Sequence, residues 1–373
     1  MAESRKCQVL VIGAGPGGYV AGIRSAQLGL DTIIVEGDKA GGTCLIRGCI
    51  PSKAIIHAAE RFESLRQHSA DGGHMGLSVK GEAEVDMVGL VSWKDSIVDR
   101  LNKGVEGLLK AAGADLIKGW ARFEGPKSCI IDTGAESVKI EAENVIIATG
   151  SSHIDLPFMP CDEEFVISST GALDLEALPK SVAIVGGGYI GLELGCALAK
   201  LGSKITVVEG MSSVLAIMDK EIRRPLEIWL KKHKVTVHTD SLARGVEIKG
   251  RGASKKAELT FEKDGTEHKV KVDKVLVTVG RKPNTKGWGL ENTGVRMDGS
   301  GRFIRTDRQC RTSVPGVYAI GDVSGEPMLA HKASAEGEMV AEIIAGHKRE
   351  FDKIAIPAIV FTCLLYTSDA ADE

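Results

Sequence analysis

The chain has 373 residues, 43% hydrophobic and 26% charged, ordinary globular usage that excludes a disordered or collagen-like polymer and allows two or three domains. Lys and Arg total 47 against 50 Asp and Glu, a net charge of −3 without a long block of like charge, which disfavours nucleic-acid binding. Glycine is the outlier at 45 residues beside only 4% aromatics, so many tight turns or close backbone approaches are required.

The first charge-free stretch, Cys7 to Ile23, is too short for a transmembrane helix and too rich in glycine for a signal core. It reads instead as the start of a strand–turn–helix unit, so neither a membrane span nor a targeting segment is expected. With no export signal visible, the eight cysteines are expected in a reducing compartment, where a close pair is redox-active or metal-binding rather than structural.

Residues 8–37 predict a buried parallel strand (8–12), the turn Gly13-Ala-Gly15-Pro-Gly-Gly18, a helix to Leu28 and a second strand ending in Glu36. Residues 181–210 repeat the plan at an offset of 173: strand, Gly186-Gly-Gly188-Tyr-Ile-Gly191, helix to Leu201, strand, Glu209. Aligned without a gap, 11 of the 30 positions are identical, including all three turn glycines and the terminal Glu. One G-x-G-x-x-G is a weak signal; two in the same context, each followed by an acidic residue at the same distance, are a strong one. The first Gly permits the turn, the second admits a pyrophosphate, and the third lets the helix close on the strand. The helix N-terminus supplies N–H groups, and the carboxylate at the next strand tip can bind a ribose diol.

Residues 55–115 read as helical, and strand-then-glycine segments recur at Val145–Gly150, Val275–Gly280 and Val317–Gly321. Just after Glu36 comes Gly41-Gly-Thr43-Cys44-Leu-Ile-Arg-Gly-Cys49-Ile-Pro51-Ser-Lys53. A C-x4-C spacing is poor for zinc, and the other cysteines (Cys7, Cys129, Cys161, Cys196, Cys310, Cys363) are scattered, so no metal site is expected. Pro51 suits a first helical position, which puts Cys49 near a helix start that stabilises a thiolate, with Lys53 about one turn along. A redox pair fits this setting better than an incidental one.

Through these motifs the chain resembles the pyridine nucleotide–disulfide oxidoreductases, and within them the dihydrolipoyl dehydrogenases, over residues 8 to about 362. The resemblance implies an α/β fold with two Rossmann-like domains, the NAD domain inserted in the FAD domain. The boundaries expected are 1–152 and 285–352 for FAD, 153–284 for NAD, and 353–373 for the start of an incomplete interface domain. It implies Cys44 and Cys49 as the redox disulfide beside Lys53, a dihydrolipoyl thiol exchanging onto Cys44 and leaving Cys49 as the thiolate against the flavin. FAD contacts would come from Gly13, Gly15, Gly18, Glu36, Thr43, Lys53, Ala121, Thr149, Gly150, Ser151, Gly321, Asp322, Met328, Leu329, Ala330 and His331. NAD would be held by Gly186, Gly188, Gly191, Glu193, Glu209 and Gly280. His331 is read as packed and hydrogen-bonded; the other histidines, His153 and His74 among them, carry no motif.

The resemblance also implies a partner, the lipoyl domain of a 2-oxo acid dehydrogenase complex, in the bacterial cytoplasm or the mitochondrial matrix. From Cys363 the match stops where the family continues for a further domain, so the reading expects a truncated or misread chain. In the family that domain forms the homodimer and supplies a His–Glu pair acting on the thiol proton. The expectation is therefore nucleotide-driven flavin reduction with little lipoamide turnover, and aggregation through uncovered apolar surface. The rivals are an NADPH-using glutathione or mercuric reductase, disfavoured by Glu209 and by the lack of a base within 210–213, and a non-catalytic dinucleotide-binding scaffold, disfavoured by the cysteine pair.

Overall fold

The computed structural model describes residues 3–69, 75–352 and 355–362. In chain order it holds β1 (Glu3–Ile12), α1 (Pro16–Gln27), β2 (Thr32–Glu36), α2 (Gly42–Arg47), α3 (Cys49–Ser69) and α4 (Met87–Ala112). Next come β3 (Asp115–Lys118), β4 (Trp120–Gly125), β5 (Ser128–Asp132), β6 (Ser137–Ile147), β7 (Ser151–His153), β8 (Val166–Ile167) and α5 (Ser169–Leu173). The repeat follows as β9 (Ser181–Val185), α6 (Tyr189–Leu201), β10 (Lys204–Val208), α7 (Lys220–Lys232) and β11 (Thr236–His238). The remaining elements are β12 (Ser241–Lys249), β13 (Lys256–Lys263), β14 (Thr266–Val272), β15 (Lys274–Val277), β16 (Arg281–Pro283), β17 (Val317–Ala319) and α8 (Ala330–Ile344).

The chain divides into two units: Met1–Ile46 with Ile97–Ser152 and Lys282–Ala358, and Arg47–Ser96 with His153–Arg281 and Ile359–Glu373. In the first, β3, β2, β1, β6 and β17 form a parallel sheet, because β17 pairs only with the last residues of β6. The first half of β6 instead carries the antiparallel ribbon β5–β4. Val9, Leu10 and Val11 are fully buried, as expected of a strand covered on both faces. Helices α1 and α8 cross closely, since a Cβ on Gly337 would stand 2.3 Å from the Gly17 carbonyl oxygen.

The second unit repeats this arrangement with a parallel sheet ordered β11, β10, β9, β15, β8 and a separate antiparallel sheet β12–β13–β14. Its core joins Ile55, Ile56 and Ala59 of α3 to Leu192, Leu194 and Cys196 of α6. This packing places Arg47–Ser96, expected with the first domain, in the second unit. The helical stretch expected over 55–115 is two helices, α3 and α4, and Met75–Asp86 between them is not helical. That interval carries Gly76 and Gly81, both at positive φ, which no long helix accommodates. Among the described residues no helix is long and apolar enough to cross a membrane.

Candidate functional site

The two glycine turns are built alike down to single hydrogen bonds. Gly13 has φ +98° and a Cβ there would stand 2.4 Å from the Ala148 carbonyl oxygen; Gly186 has φ +102° and its Cβ would stand 2.5 Å from that of Thr278. A Cβ on Gly18 would come within 1.8 Å of the Gly13 carbonyl oxygen, and one on Gly191 within 2.5 Å of that of Gly186. Only glycine lets each helix start this close to its strand. Gly15 and Gly188 are the N-caps of α1 and α6; nothing lies within 4 Å of a Cβ on Gly188, and only the Gly42 Cα, at 3.8 Å, approaches one on Gly15. The second glycine of each turn thus faces room for a ligand, beside first-turn N–H groups that lack intrahelical acceptors.

The acidic tips complete each turn. Glu36 accepts the N–H of Ala14 at 2.7 Å and that of Asp38 at 3.0 Å. Glu209 accepts the N–H of Gly187 at 2.5 Å and that of Met211 at 2.7 Å, the same two positions 173 residues later. Each carboxylate is fixed against its own turn, and its further lone pairs suffice for a diol.

Other residues singled out in the first unit gather around its parallel sheet. Thr149 donates its hydroxyl to the Asn284 carbonyl at 2.9 Å, and the Asn284 N–H donates to the Gly150 carbonyl at 2.9 Å. The Ser151 hydroxyl donates to Asp322 at 2.5 Å. Gly321, at φ +72°, donates its N–H at 2.7 Å to the buried carboxylate of Glu336, which pairs with buried Lys332 at 3.3 Å. Burial pushes the Glu336 carboxyl up, against the opposing pull of Lys332. Sequence reasoning overlooked this pair, although Lys and Glu four apart among small residues was a usable signal. Ala121, Met328, Leu329 and Ala330 are half-buried, and Leu329 caps α8.

His331 is a correction: it is exposed in the first turn of α8 rather than packed. The side chains turned inward there are Ala333, which packs beside Gly17 of α1, and Lys332, which donates to the Gly325 carbonyl at 3.0 Å.

Cys44, in α2, and Cys49, the first residue of α3, form a disulfide. Pro51 stands at the third position of α3 rather than the first, still within the turn whose N–H groups need no intrahelical acceptor. In the second unit the Lys53 ammonium donates to Glu193 at 2.8 Å and lies 4.7 Å from the centre of the Phe361 ring. Glu193, 5% exposed in its side chain, also accepts the Phe361 N–H at 2.9 Å. Glu193 therefore holds Lys53, a partnership across 140 positions with no local sequence signal. Gly280, at φ +126°, accepts the Ile154 N–H at 3.1 Å. Thr43 is half-buried in α2. Ile354, His74 and everything from Cys363 onward, including the expected break with the family, lie outside the described residues.

Comparison with known proteins agrees with this geometry. A family model for pyridine nucleotide-disulphide oxidoreductases matches residues 7–337. A dihydrolipoyl dehydrogenase of Pseudomonas aeruginosa is 47% identical over 363 residues, which are 97% of this chain and 76% of that protein. One from Geobacillus stearothermophilus is 45% identical, covering 95% and 73%. The crystal structure of LpdA from Mycobacterium tuberculosis superposes with a TM-score of 0.85 at 27% identity, covering 95% of this chain and 76% of that one. With two glycine turns of one design, a cysteine pair joined as a disulfide and a family match over most of its length, this chain belongs to the pyridine nucleotide-disulphide oxidoreductases.

Proposed function

We propose that the protein is an NAD-linked dihydrolipoyl dehydrogenase carrying FAD, and the observation that carries this reading is the Cys44–Cys49 disulfide directly after the first strand–turn–helix–strand unit. Relatives of that name at 42–47% identity support it. The first turn, with Gly13, Gly15, Gly18, Glu36, Thr43 and the Ser151–Asp322 pair, would hold FAD. The second, with Gly186, Gly188, Gly191, Glu209 and Gly280, would hold NAD. Both turns fit such ligands, since the cradle at each second glycine is one that a side chain would fill. FAD, when bound, accepts the electron pair of the reduced cysteines and yields it to NAD.

The protein's own chemistry is thiol–disulfide exchange. A dihydrolipoyl thiolate attacks Cys44 Sγ, breaking the Cys44–Cys49 bond and releasing Cys49 as thiolate. The second lipoyl thiol then displaces Cys44, so the substrate leaves as cyclic disulfide and both cysteines remain reduced. Cys49 leaves readily because the first turn of α3 stabilises its anion. Lys53, held by Glu193, sets a fixed positive charge on that same helix. The natural donor is the lipoyl arm of a 2-oxo acid dehydrogenase complex.

The test uses the purified, oxidised chain. Dihydrolipoamide should open the disulfide, so that alkylation and mass spectrometry find labels on Cys44 and Cys49, and the folded protein should carry FAD that NADH bleaches. A folded protein that takes up no FAD, or a disulfide that dihydrolipoamide leaves closed, overturns the reading.

A further inference from the structure

The segment His153-Ile-Asp155-Leu-Pro157-Phe-Met-Pro160-Cys161 belongs to the second unit, and apart from the Ile154 N–H bonded to Gly280 it takes no part in the chemistry above. The chain reverses over Pro157 and Phe158, where Leu156 and Met159 form an antiparallel bridge closed by the Met159 N–H donating to Leu156 at 2.8 Å. The reversal returns Cys161 to Asp155. Just beyond, one carboxylate oxygen of Asp162 accepts the N–H groups of Glu164, Phe165 and Val166 at 2.8, 2.7 and 2.9 Å, which fixes the backbone after the cysteine.

One imidazole nitrogen of His153, one carboxylate oxygen of Asp155 and the sulfur of Cys161 all lie within 4.8 Å of one another. The His153 Nε2 to Asp155 Oδ1 distance is 3.3 Å, and the Cys161 sulfur lies within 4.8 Å of both donors. In a tetrahedral site with metal–ligand bonds of about 2.0–2.3 Å, neighbouring donors stand roughly 3.3–3.8 Å apart. The His153–Asp155 edge already has that length, and the other two close with side-chain movements of about 1 Å. Two of the three donors are half-buried and Asp155 is exposed, which gives an ion a path from solvent.

A catalytic cysteine is the competing use of such a group, and the arrangement opposes it. Burial and the carboxylates of Asp155 and Glu163 push the Cys161 thiol up to about 12, whereas a nucleophilic cysteine needs surroundings that lower it. The same negative surroundings attract a cation.

We propose that His153, Asp155 and Cys161 bind one divalent cation of the zinc and late first-row transition-metal class, through one nitrogen, one oxygen and one sulfur, with the fourth position open to water. Sulfur and imidazole donors select this class over calcium and magnesium, which take oxygen ligands. On binding, the Cys161 S–H bond breaks, its proton passes to solvent and a sulfur–metal bond forms, with no change of oxidation state. The site is independent of the flavin and nicotinamide reading.

The experiment titrates the full chain, with its Cys44–Cys49 disulfide oxidised, with Co(II) as a spectroscopic stand-in for Zn(II). A thiolate-to-cobalt charge-transfer band should rise to one equivalent and be bleached by Zn(II). Cys161→Ser should abolish it, His153→Ala and Asp155→Asn should each weaken binding at least tenfold, and a Cys44→Ser/Cys49→Ser protein should retain it. Circular dichroism establishes that each variant is folded. No band in the folded wild-type chain, or a band undiminished by Cys161→Ser, overturns the proposal, and the wild-type titration decides even if a variant fails to fold.

Discussion

Glu209 is expected to make the protein choose NADH over NADPH. Two backbone bonds, from Gly187 at 2.5 Å and Met211 at 2.7 Å, fix its carboxylate at the tip of β10. A 2′-phosphate placed against this group brings like charge to a carboxylate that cannot swing aside. Two unit charges about 4 Å apart repel by about 1 kcal/mol in bulk water and about 4 kcal/mol at the effective dielectric of a protein surface. Since about 1.4 kcal/mol is tenfold, even the lower end, for a phosphate carrying more than one charge, gives a preference of at least about tenfold. Arg223 of α7 works against this, because its guanidinium donates to Ser213 on the same loop, a cation that composition within 210–213 did not reveal. The assay is stopped-flow reduction of the bound flavin by the two nucleotides at matched low concentrations. Glu209→Gln should narrow the ratio by roughly tenfold, and Arg223→Ala should widen it. Equal rates in the wild-type protein, or a ratio unmoved by Glu209→Gln, would refute the electrostatic reasoning.

The glycine turns separate two kinds of strain. Gly18→Ala forces a Cβ to 1.8 Å from a backbone oxygen and should cost about 3 kcal/mol or more, whereas Gly29→Ala, at φ +83° in open space, should cost about 1–2 kcal/mol. Similar denaturant midpoints for the two variants would contradict the packing argument. Burial pushes Cys7 up to about 12 and Cys129 and Cys310 higher still, so at pH 8 their thiolates are scarce. Iodoacetamide should leave these three unlabelled in the folded protein and should reach Cys44 and Cys49 only after reduction; early labelling of Cys129 would count against the buried sheet. Finally, Cys44→Ser should leave Cys49 as a thiolate that gives a long-wavelength flavin band without reduction, and Cys49→Ser should abolish that band. Identical spectra for the two variants would show the roles of the cysteines to be wrongly assigned.

What could be read along the chain was whatever a short stretch of backbone demands by itself. A turn that needs φ +98° at Gly13 and no Cβ at Gly18 can be satisfied by glycine alone, so its spacing survives in the sequence and repeats 173 residues later. The acidic tips were legible because each closes a turn within its own strand–turn–helix–strand unit, 22 residues back, and a helix start near Cys49 was legible from Pro51, although α3 begins two residues before that proline. Helix length was less legible, since the break at Met75–Asp86 lies between two helices whose apolar spacing reads as one.

Side-chain partnerships belong to the tertiary structure. Lys53 was expected to serve Cys49, and its bond to Glu193 exists because α3 packs on α6, a contact between segments 140 residues apart. His331 was expected inside, and it is exposed because the inward directions at the start of α8 are taken by Ala333, which meets Gly17 of α1, and by Lys332, which reaches the Gly321 and Gly325 carbonyls. His153, Asp155 and Cys161 carry no motif, and only the reversal over Pro157 and Phe158 brings their donor atoms within 4.8 Å of one another. Spacing in a sequence encodes local backbone geometry, whereas the meeting of distant side chains depends on how whole elements pack. Sequence therefore determined two dinucleotide turns and a cysteine pair, and packing decided which charges they work beside.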